Sequence, residues 1–370
     1  MKIVYIVKSR LHFYPPCVSQ IRMIKRLGYD IEVLYGTCDK KTIELLELEK
    51  IKCIKASNIK DEYFGKLNKI KGWLRFRREL YKKIKSYNYS DTIFWFGTAE
   101  TVIPLKGLLS NKKYIVSLLE LLDDAPKKRK LLHGILENAQ KITCCEETRA
   151  YLIKYWYSLK ELPTIFPNKP FDQITSKRSQ PTSEITKKII NEIKNDNVII
   201  YQGYLQNTEE LTEIAYALKR FNGKYKLVLM GIDEYNSYKK IKKIYPKTVF
   251  YSYIPAPLHL EITSYAKFGI LFYRPTVLNK VFCAPNKIFE YGGFGIPMIG
   301  NNIPGLKNTI GNAKAGICVE ITRDRVYSAI KEMEQNYISF SKNAIDYFNS
   351  VDNYVTMDKF LKTIQEQNVE

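Results

Sequence analysis

The chain has 370 residues, room for about two domains that can each bury a core, and its 45% hydrophobic and 26% charged composition is that of a globular protein. Seven cysteines without a CxxC spacing exclude a disulfide framework or a zinc site, and no apolar run approaches the ~18 residues that a spanning helix requires. The formal charge of +21 suits nucleic acid, a phosphate-rich ligand or an anionic membrane, although the general abundance of Lys, Ile, Asn and Tyr makes local clusters more telling than the total.

Taken in chain order, short apolar strand candidates alternate with amphipathic helix candidates. "KIVYIV" (2–7) enters directly from the N-terminus, with no signal-peptide pattern, and leads to a helical stretch at 16–27 that ends at Gly28. "DIEVLYG" (30–36), "TIFWFG" (92–97), "KYIVSLL" (113–119) and "KITCC" (141–145) follow. A second series comprises "NVIIYQG" (197–203), "KLVLMG" (226–231), "TVFYSYI" (248–254), "FGILFY" (268–273), "IPMIG" (296–300) and "GICVE" (316–320). Strands that stay apolar without alternation, each separated by a helix, are the pattern of parallel sheets covered on both faces. The expected class is therefore α/β, with two doubly wound domains at 1–168 and 197–344. The polar stretch 169–196 reads as a linker. The last stretch is helical, with Phe340, Ala344, Tyr347 and Phe348 on one stripe and Tyr354, Met357, Phe360, Leu361 and Ile364 on another.

Charge is uneven. Residues 1–168 hold 32 Lys and Arg against 18 Asp and Glu. The excess concentrates in "KLNKIKGWLRFRRELYKKIK" (66–85), where nine basic residues and one acid accompany an apolar stripe of Leu67, Ile70, Leu74, Tyr81 and Ile84, widened by Trp73, Phe76 and Leu80. This is the composition of a membrane-surface element, and equally of a helix packed on its own sheet with a solvated basic face. No recognised nucleic-acid module accompanies it, so nucleic acid is not expected as a partner.

Chemistry is expected where strands of an open parallel sheet lead into helix N-termini. "APNKIFEYGGFGIPMIG" (284–300) lies after strand and loop residues. Pro285 suits the first turn of a helix, whose free N–H groups and dipole attract phosphate. Lys287 adds a point charge, Arg274 a possible bidentate fork, and Glu290 a carboxylate able to accept from two vicinal ribose hydroxyls. The alternative is a Lys287–Glu290 pair at i,i+3, worth roughly a few tenths of a kcal/mol.

The stretch "PNKIFEYGGFGIPMIGNNIPGL" resembles the donor-binding signature of GT-B-fold glycosyltransferases, particularly retaining family four and its bacterial surface-polysaccharide members. The likeness extends to "ITCCEETRAYLIKYW…LPTIFPNKP", "NVIIYQGYLQNTEELTEIAYAL" and "AKAGICVE". It implies two Rossmann-like domains facing a central cleft, with 345–370 crossing back to the first. Glu290 matches the ribose-binding glutamate, and Asn286 and Lys287 the residues near the diphosphate and sugar. Gly203 matches the phosphate-loop glycine, and Tyr253, Ile254 and Pro255 the loop beside the base. Phe282 replaces a second glutamate, and Tyr204 and Glu209 stand where Arg and Lys commonly follow the glycine, so Arg274, Lys287 and Lys280 must meet the diphosphate charge. No metal cofactor is expected.

In the first domain Glu120, Asp123 and Asp124 follow a strand end. The resemblance places Glu120 at an acidic position facing the donor sugar: the general base if the reaction inverts, a sugar-positioning group if it retains. An acidic loop pairing with "KKRK" (127–130) is the structural alternative. Asp123 and His12 are candidates for the acceptor side, although surface or capping histidines are commoner. The implied function is transfer of a sugar from a nucleotide-diphosphate-sugar to a hydroxyl of a glycan or polyprenyl-diphosphate-linked acceptor. The enzyme is expected to be cytoplasmic, or peripheral on the inner membrane face through 66–85. The rivals are a nucleotide-sugar 2-epimerase of the same fold, a non-catalytic partner subunit and a nucleic-acid-binding protein.

Overall fold

The computed structural model describes residues 1–57, 66–206 and 208–366, with the side chains of 66–69 outside that description. The chain divides into two compact units, Met1–Phe171 with Asp352–Glu370, and Asp172–Val351.

In the first unit seven parallel strands form one sheet: β1 (Lys2–Arg10), β2 (Asp30–Thr37), β3 (Lys52–Lys55), β4 (Thr92–Phe96), β5 (Lys113–Leu118), β6 (Lys141–Cys144) and β7 (Thr164–Ile165). Their order is β3-β2-β1-β4-β5-β6-β7, so the chain reverses its direction of travel between β1 and β4. The apolar runs that read as strands are central and buried. The two strands absent from the sequence reading, "KCIK" and "TI", are the half-buried edges, where two-sided burial is not needed to hold a strand. The connecting helices are α1 (Pro15–Arg26), α2 (Lys40–Leu48), α3 (Lys66–Ile84), α4 (Ala99–Val102), α5 (Pro126–Glu137) and α6 (Glu147–Trp156). Local chemistry sets several starts: Asp39 accepts from the Thr42 N–H to begin α2, and Glu146 accepts from Thr148 and Arg149 to begin α6.

One face of this sheet is covered by α3, α5 and α6. The stripe expected on α3 is rotated from its predicted position. Phe76, Leu80 and Ile84 are buried, with Trp73 against them, while Ile70 and Leu74 are 55% and 52% exposed. The side chain of Leu67 lies outside the described residues. The other face is covered by α1 and by the C-terminal helix (Asn353–Glu366), whose Met357, Phe360, Leu361 and Ile364 pack with Ile3, Tyr5, Ile21 and Trp95.

The second unit has six parallel strands: β8 (Asn197–Tyr204), β9 (Tyr225–Ile232), β10 (Thr248–Ser252), β11 (Ala266–Leu271), β12 (Met298–Asn301) and β13 (Gly316–Val319), ordered β10-β9-β8-β11-β12-β13. Its helices are α7 (Glu184–Ile193), α8 (Thr208–Lys219), α9 (Ser237–Ile244), α10 (His259–Thr263), α11 (Leu278–Val281), α12 (Lys287–Gly293), α13 (Pro304–Leu306), α14 (Arg323–Gln335) and α15 (Tyr337–Ser350).

Two boundaries differ from expectation. The stretch read as linker belongs to the second unit from residue 172 onward and carries α7, which buries Ile189, Ile190 and Ile193. Its polar majority concealed one apolar stripe, and Thr182 ties it down by donating to Glu261. The helix expected over 345–370 is two helices. Residues 345–350 end α15 in the second unit, Val351 is extended, and the Asp352 carboxylate accepts from Tyr354 and Val355 to start the helix that joins the first unit. Phe360 meets Trp95 and Phe166 with ring centroids 5.5 Å apart in each pair. Phe360→Ala should therefore lower the stability of the first unit by about 3 kcal/mol, read as an earlier first transition in urea unfolding followed by circular dichroism.

Candidate functional site

The chain reverses its direction of travel in the second sheet between β8 and β11, the place where open α/β sheets form a ligand crevice beyond their carboxyl ends. Gly203, near the end of β8, is opposite Gly231 of β9. Both have positive φ, +131° and +144°, and a Cβ on Gly231 would sit 1.8 Å from the Gly203 carbonyl oxygen. Only glycine permits this approach.

The space above Gly203 is taken by Lys287, whose Cε and Nζ would lie 3.2 and 3.3 Å from a Cβ there. The ammonium is half-buried and has no ion pair or hydrogen bond among the described residues. Burial lowers its pKa, with the Glu290 charge acting in the opposite sense. The expected helix start is shifted. Pro285 and Asn286 form the turn that leads in, with the N–H groups of Phe289 and Glu290 both 3.0 Å from the Asn286 carbonyl, and α12 proper begins at Lys287. The Asn286 side chain does not cap it.

Glu290 is 7% exposed. Its neighbour along the helix is not its ionic partner: His259 Nε2, from α10, lies 3.5 Å from Glu290 Oε1, and the Gln202 amide donates to Oε2. Burial alone would raise the carboxyl pKa, but His259, Lys287 and Gln202 together outweigh it and hold the group below its ordinary value. Each oxygen retains lone-pair capacity beyond these contacts.

Arg274 reaches the same region from the loop after β11. The Asn301 side chain fixes this loop by accepting from the Tyr273 N–H at 3.0 Å and donating to its carbonyl at 2.7 Å. The guanidinium is already bonded to Glu210 and Glu209, so it stands at the start of α8 with its charge offset. Tyr204 donates to Glu234, and that bond, with some burial, pushes the phenol up to about 12. Lys280 is on α11. In the loop before α10, Tyr253 is 46% exposed, Ile254 turns into the core, and the Pro255 carbonyl accepts from the His259 N–H. The structure thus gathers Gly203, Lys287 and Glu290, and commits Arg274 and Tyr204 to carboxylates of their own.

In the first unit Glu120 is exposed just beyond β5, and Asp123 is in the turn that follows, after Leu122 at φ 56°. His12 occupies a short turn after β1, where its Nδ1 accepts from the Asp39 N–H at 3.1 Å. Three further polar residues collect where this sheet reverses between β1 and β4. Burial, with the Glu100 and Cys17 charges and Glu120 behind them, pushes Tyr14 up to about 12. Lys128 pairs with Glu100 at 2.5 Å, and burial lowers Lys8 beside them.

Sequence reasoning missed His259, Gln202 and Thr263 in the second unit, and Tyr14, Glu100 and Lys8 in the first. Gln202 directly precedes Gly203 in a strand otherwise apolar up to that point, which was a usable signal. His259 carried none, because its partner is 31 positions away. Among the described residues no group of three or more His, Cys, Asp or Glu could hold a metal ion.

No protein-family model matches the chain, and no curated protein sequence does. Solved structures resemble it throughout. HepE from Anabaena in complex with UDP-glucose matches with a TM-score of 0.72 at 12% identity, over 99% of this chain and 100% of that one. A glycosyltransferase from Rickettsia africae matches at 0.69 and 13%, over 100% and 98%. MnaA of S. aureus bound to UDP matches at 0.68 and 13%, over 99% and 96%. The fold is the GT-B fold, two Rossmann-like units with parallel sheets.

Glu290 links this site to stability. Its pKa is depressed in the folded state, so its contribution is complete above the unfolded value of about 4.3 and is lost as pH falls through the folded one. Glu290→Gln should flatten the acid side of the melting-temperature profile below about pH 4. An unchanged acid limb would contradict this placement.

Proposed function

We propose that the protein is a glycosyltransferase that takes a sugar from a nucleotide-diphosphate-sugar. The observation that carries this reading is the half-buried Lys287 ammonium, without an ionic partner among the described residues, over the half-buried backbone of Gly203 and one helical turn from a nearly buried carboxylate. A desolvated cation beside a glycine backbone fits a diphosphate, and a carboxylate with spare lone pairs fits the ribose diol. The loop 253–255 is assigned to the base in this proposal. Lys287 and the adjoining peptide groups supply the charge that a leaving diphosphate needs, so the proposed mechanism uses no metal cofactor. The solved structures that share the fold include complexes with UDP and UDP-glucose.

Glu120 is the proposed reacting carboxylate: it takes the acceptor hydroxyl's proton if configuration inverts, and positions sugar hydroxyls if it is retained. Asp123 and His12 belong to the acceptor side of this proposal. The reading continues to a hexosyltransferase of family-four type in bacterial surface-polysaccharide synthesis. Its acceptor is a glycan or a polyprenyl-diphosphate-linked chain presented at an anionic membrane surface. No helix among the described residues is long and apolar enough to cross a membrane. Support for peripheral contact comes from α3, where exposed Ile70 and Leu74 lie among Lys71, Arg75, Arg78 and Lys82, and from α5 and α6 on the same sheet face, with exposed Lys127, Lys130, Leu131 and Tyr155.

A thermal-shift panel of nucleoside diphosphates and their sugars tests the donor side. One base should stabilise the protein by a few degrees, and Glu290→Ala or Lys287→Ala should abolish the shift; no shift from any nucleotide would end the proposal. With donor and acceptor in hand, Glu120→Gln should reduce transfer by about a hundredfold while nucleotide binding stays intact. Formation of an epimer from nucleotide-sugar alone would replace transfer by isomerisation. For the membrane, Ile70→Ser with Leu74→Ser should weaken co-sedimentation with anionic vesicles, and equal sedimentation would exclude α3 from the contact.

A further inference from the structure

Glu290 is held from two other elements at once, and the chemistry of a carboxylate dictates the direction of every bond around it. An ionised carboxylate can only accept, so the Gln202 side chain on β8 must turn its NH₂ toward Oε2. The Gln202 oxygen then faces Thr263 of α10, whose hydroxyl donates to it at 2.8 Å and shares its proton with the His259 carbonyl at 2.9 Å. On the other side His259, four residues before Thr263 on the same helix, must carry its proton on Nε2 to donate to Oε1. That leaves Nδ1, which is buried and has no hydrogen-bond partner among the described residues. The ring is therefore turned toward the carboxylate rather than toward any acceptor of its own, and no partner at Nδ1 competes to set its tautomer.

We infer that His259 is a positioning residue for nucleotide binding: by donating from Nε2 it fixes the Glu290 carboxylate in the orientation that accepts the ribose hydroxyls. The inference rests on the nucleotide reading above and adds to it the residue that makes the carboxylate competent. With the His259 donor removed, the Gln202 bond alone leaves Oε1 free to rotate away, or to meet Lys287 and draw its charge from the phosphate side. Affinity would then fall although no residue that touches the nucleotide has changed.

The test separates this role from a structural one through the geometry of two amides. Glutamine places an N–H donor near the position of the histidine Nε2, whereas asparagine places one near Nδ1. UDP is titrated calorimetrically into the wild type and into Glu290→Ala, His259→Gln, His259→Asn and His259→Ala, with melting temperatures recorded for each. His259→Asn and His259→Ala should bind UDP about tenfold or more weakly, the loss expected for a hydrogen bond to a charged group, while His259→Gln stays within about threefold of the wild type. Full affinity in His259→Asn with loss in Glu290→Ala would overturn the inference and leave the nucleotide reading intact. Equal loss in His259→Gln and His259→Asn, at unchanged melting temperature, would also overturn it. A ligand-independent arm uses nitrogen chemical shifts of ¹⁵N-histidine-labelled free protein: a proton on Nε2 of His259 is required, and a neutral ring protonated at Nδ1 alone refutes the inference whatever the calorimetry shows. A wild type that binds no nucleoside diphosphate removes the parent reading, and this inference with it.

Discussion

Taking a carboxylate out of water carries a large penalty unless donors surround it, and Glu290 meets that requirement with groups drawn from two other elements. Gln202 comes from the end of β8, His259 from α10 and the carboxylate itself from α12. Lys287, one turn before Glu290 on α12, brings its own charge to Gly203, so the polar network and the glycine pair meet at one place. The Gln202 amide that donates to Glu290 in turn accepts from the Thr263 hydroxyl.

Cations in this unit fall into two groups. Arg274 is forked onto Glu210 and Glu209, and Lys224 and Lys267 both meet Glu334, whose carboxyl is held down at about 2 even though burial alone would raise it. These are structural pairs, solvated enough that each contributes little. Lys287 differs in that burial depresses its pKa and the Glu290 charge, which makes no ion pair with it, offsets that only in part. An unpaired, desolvated ammonium is unfavourable in isolation, which is why its position beside a glycine backbone carries more weight for function than the net charge of +21. The first unit holds its own polar group around Tyr14 and Glu100, gathered by the same reversal of strand order that locates the site in the second.

The alternating strands and helices were legible because buried parallel strands must be apolar on both faces, and twelve-residue helices repeat their stripe often enough to be seen. The edge strands β3 and β7 were not, since "KCIK" and "TI" need bury only part of their surface. On α3 the sequence offered more apolar positions than one face can hold. Packing against Phe94 and Val116 selected Phe76, Leu80 and Ile84, and left Ile70 and Leu74 outside. The helix α7 was hidden because four isoleucines, three of them buried, among polar and charged residues resemble a linker until a partner surface is known.

Local chemistry written along the chain made the class of fold, the two domains and the candidates Lys287 and Glu290 legible, with Gly203 added by family resemblance, because helix starts and two-sided burial are near-neighbour effects. The tertiary structure alone decided which groups touch that trio. Lys287 and Glu290, three residues apart, did not pair with each other. The carboxylate took its donors from residues 202 and 259, and the arginine expected at the phosphate went to 209 and 210. Hydrogen bonds and ion pairs are satisfied through space, and the order of strands in a sheet, not the order of residues in the chain, sets which partners are near.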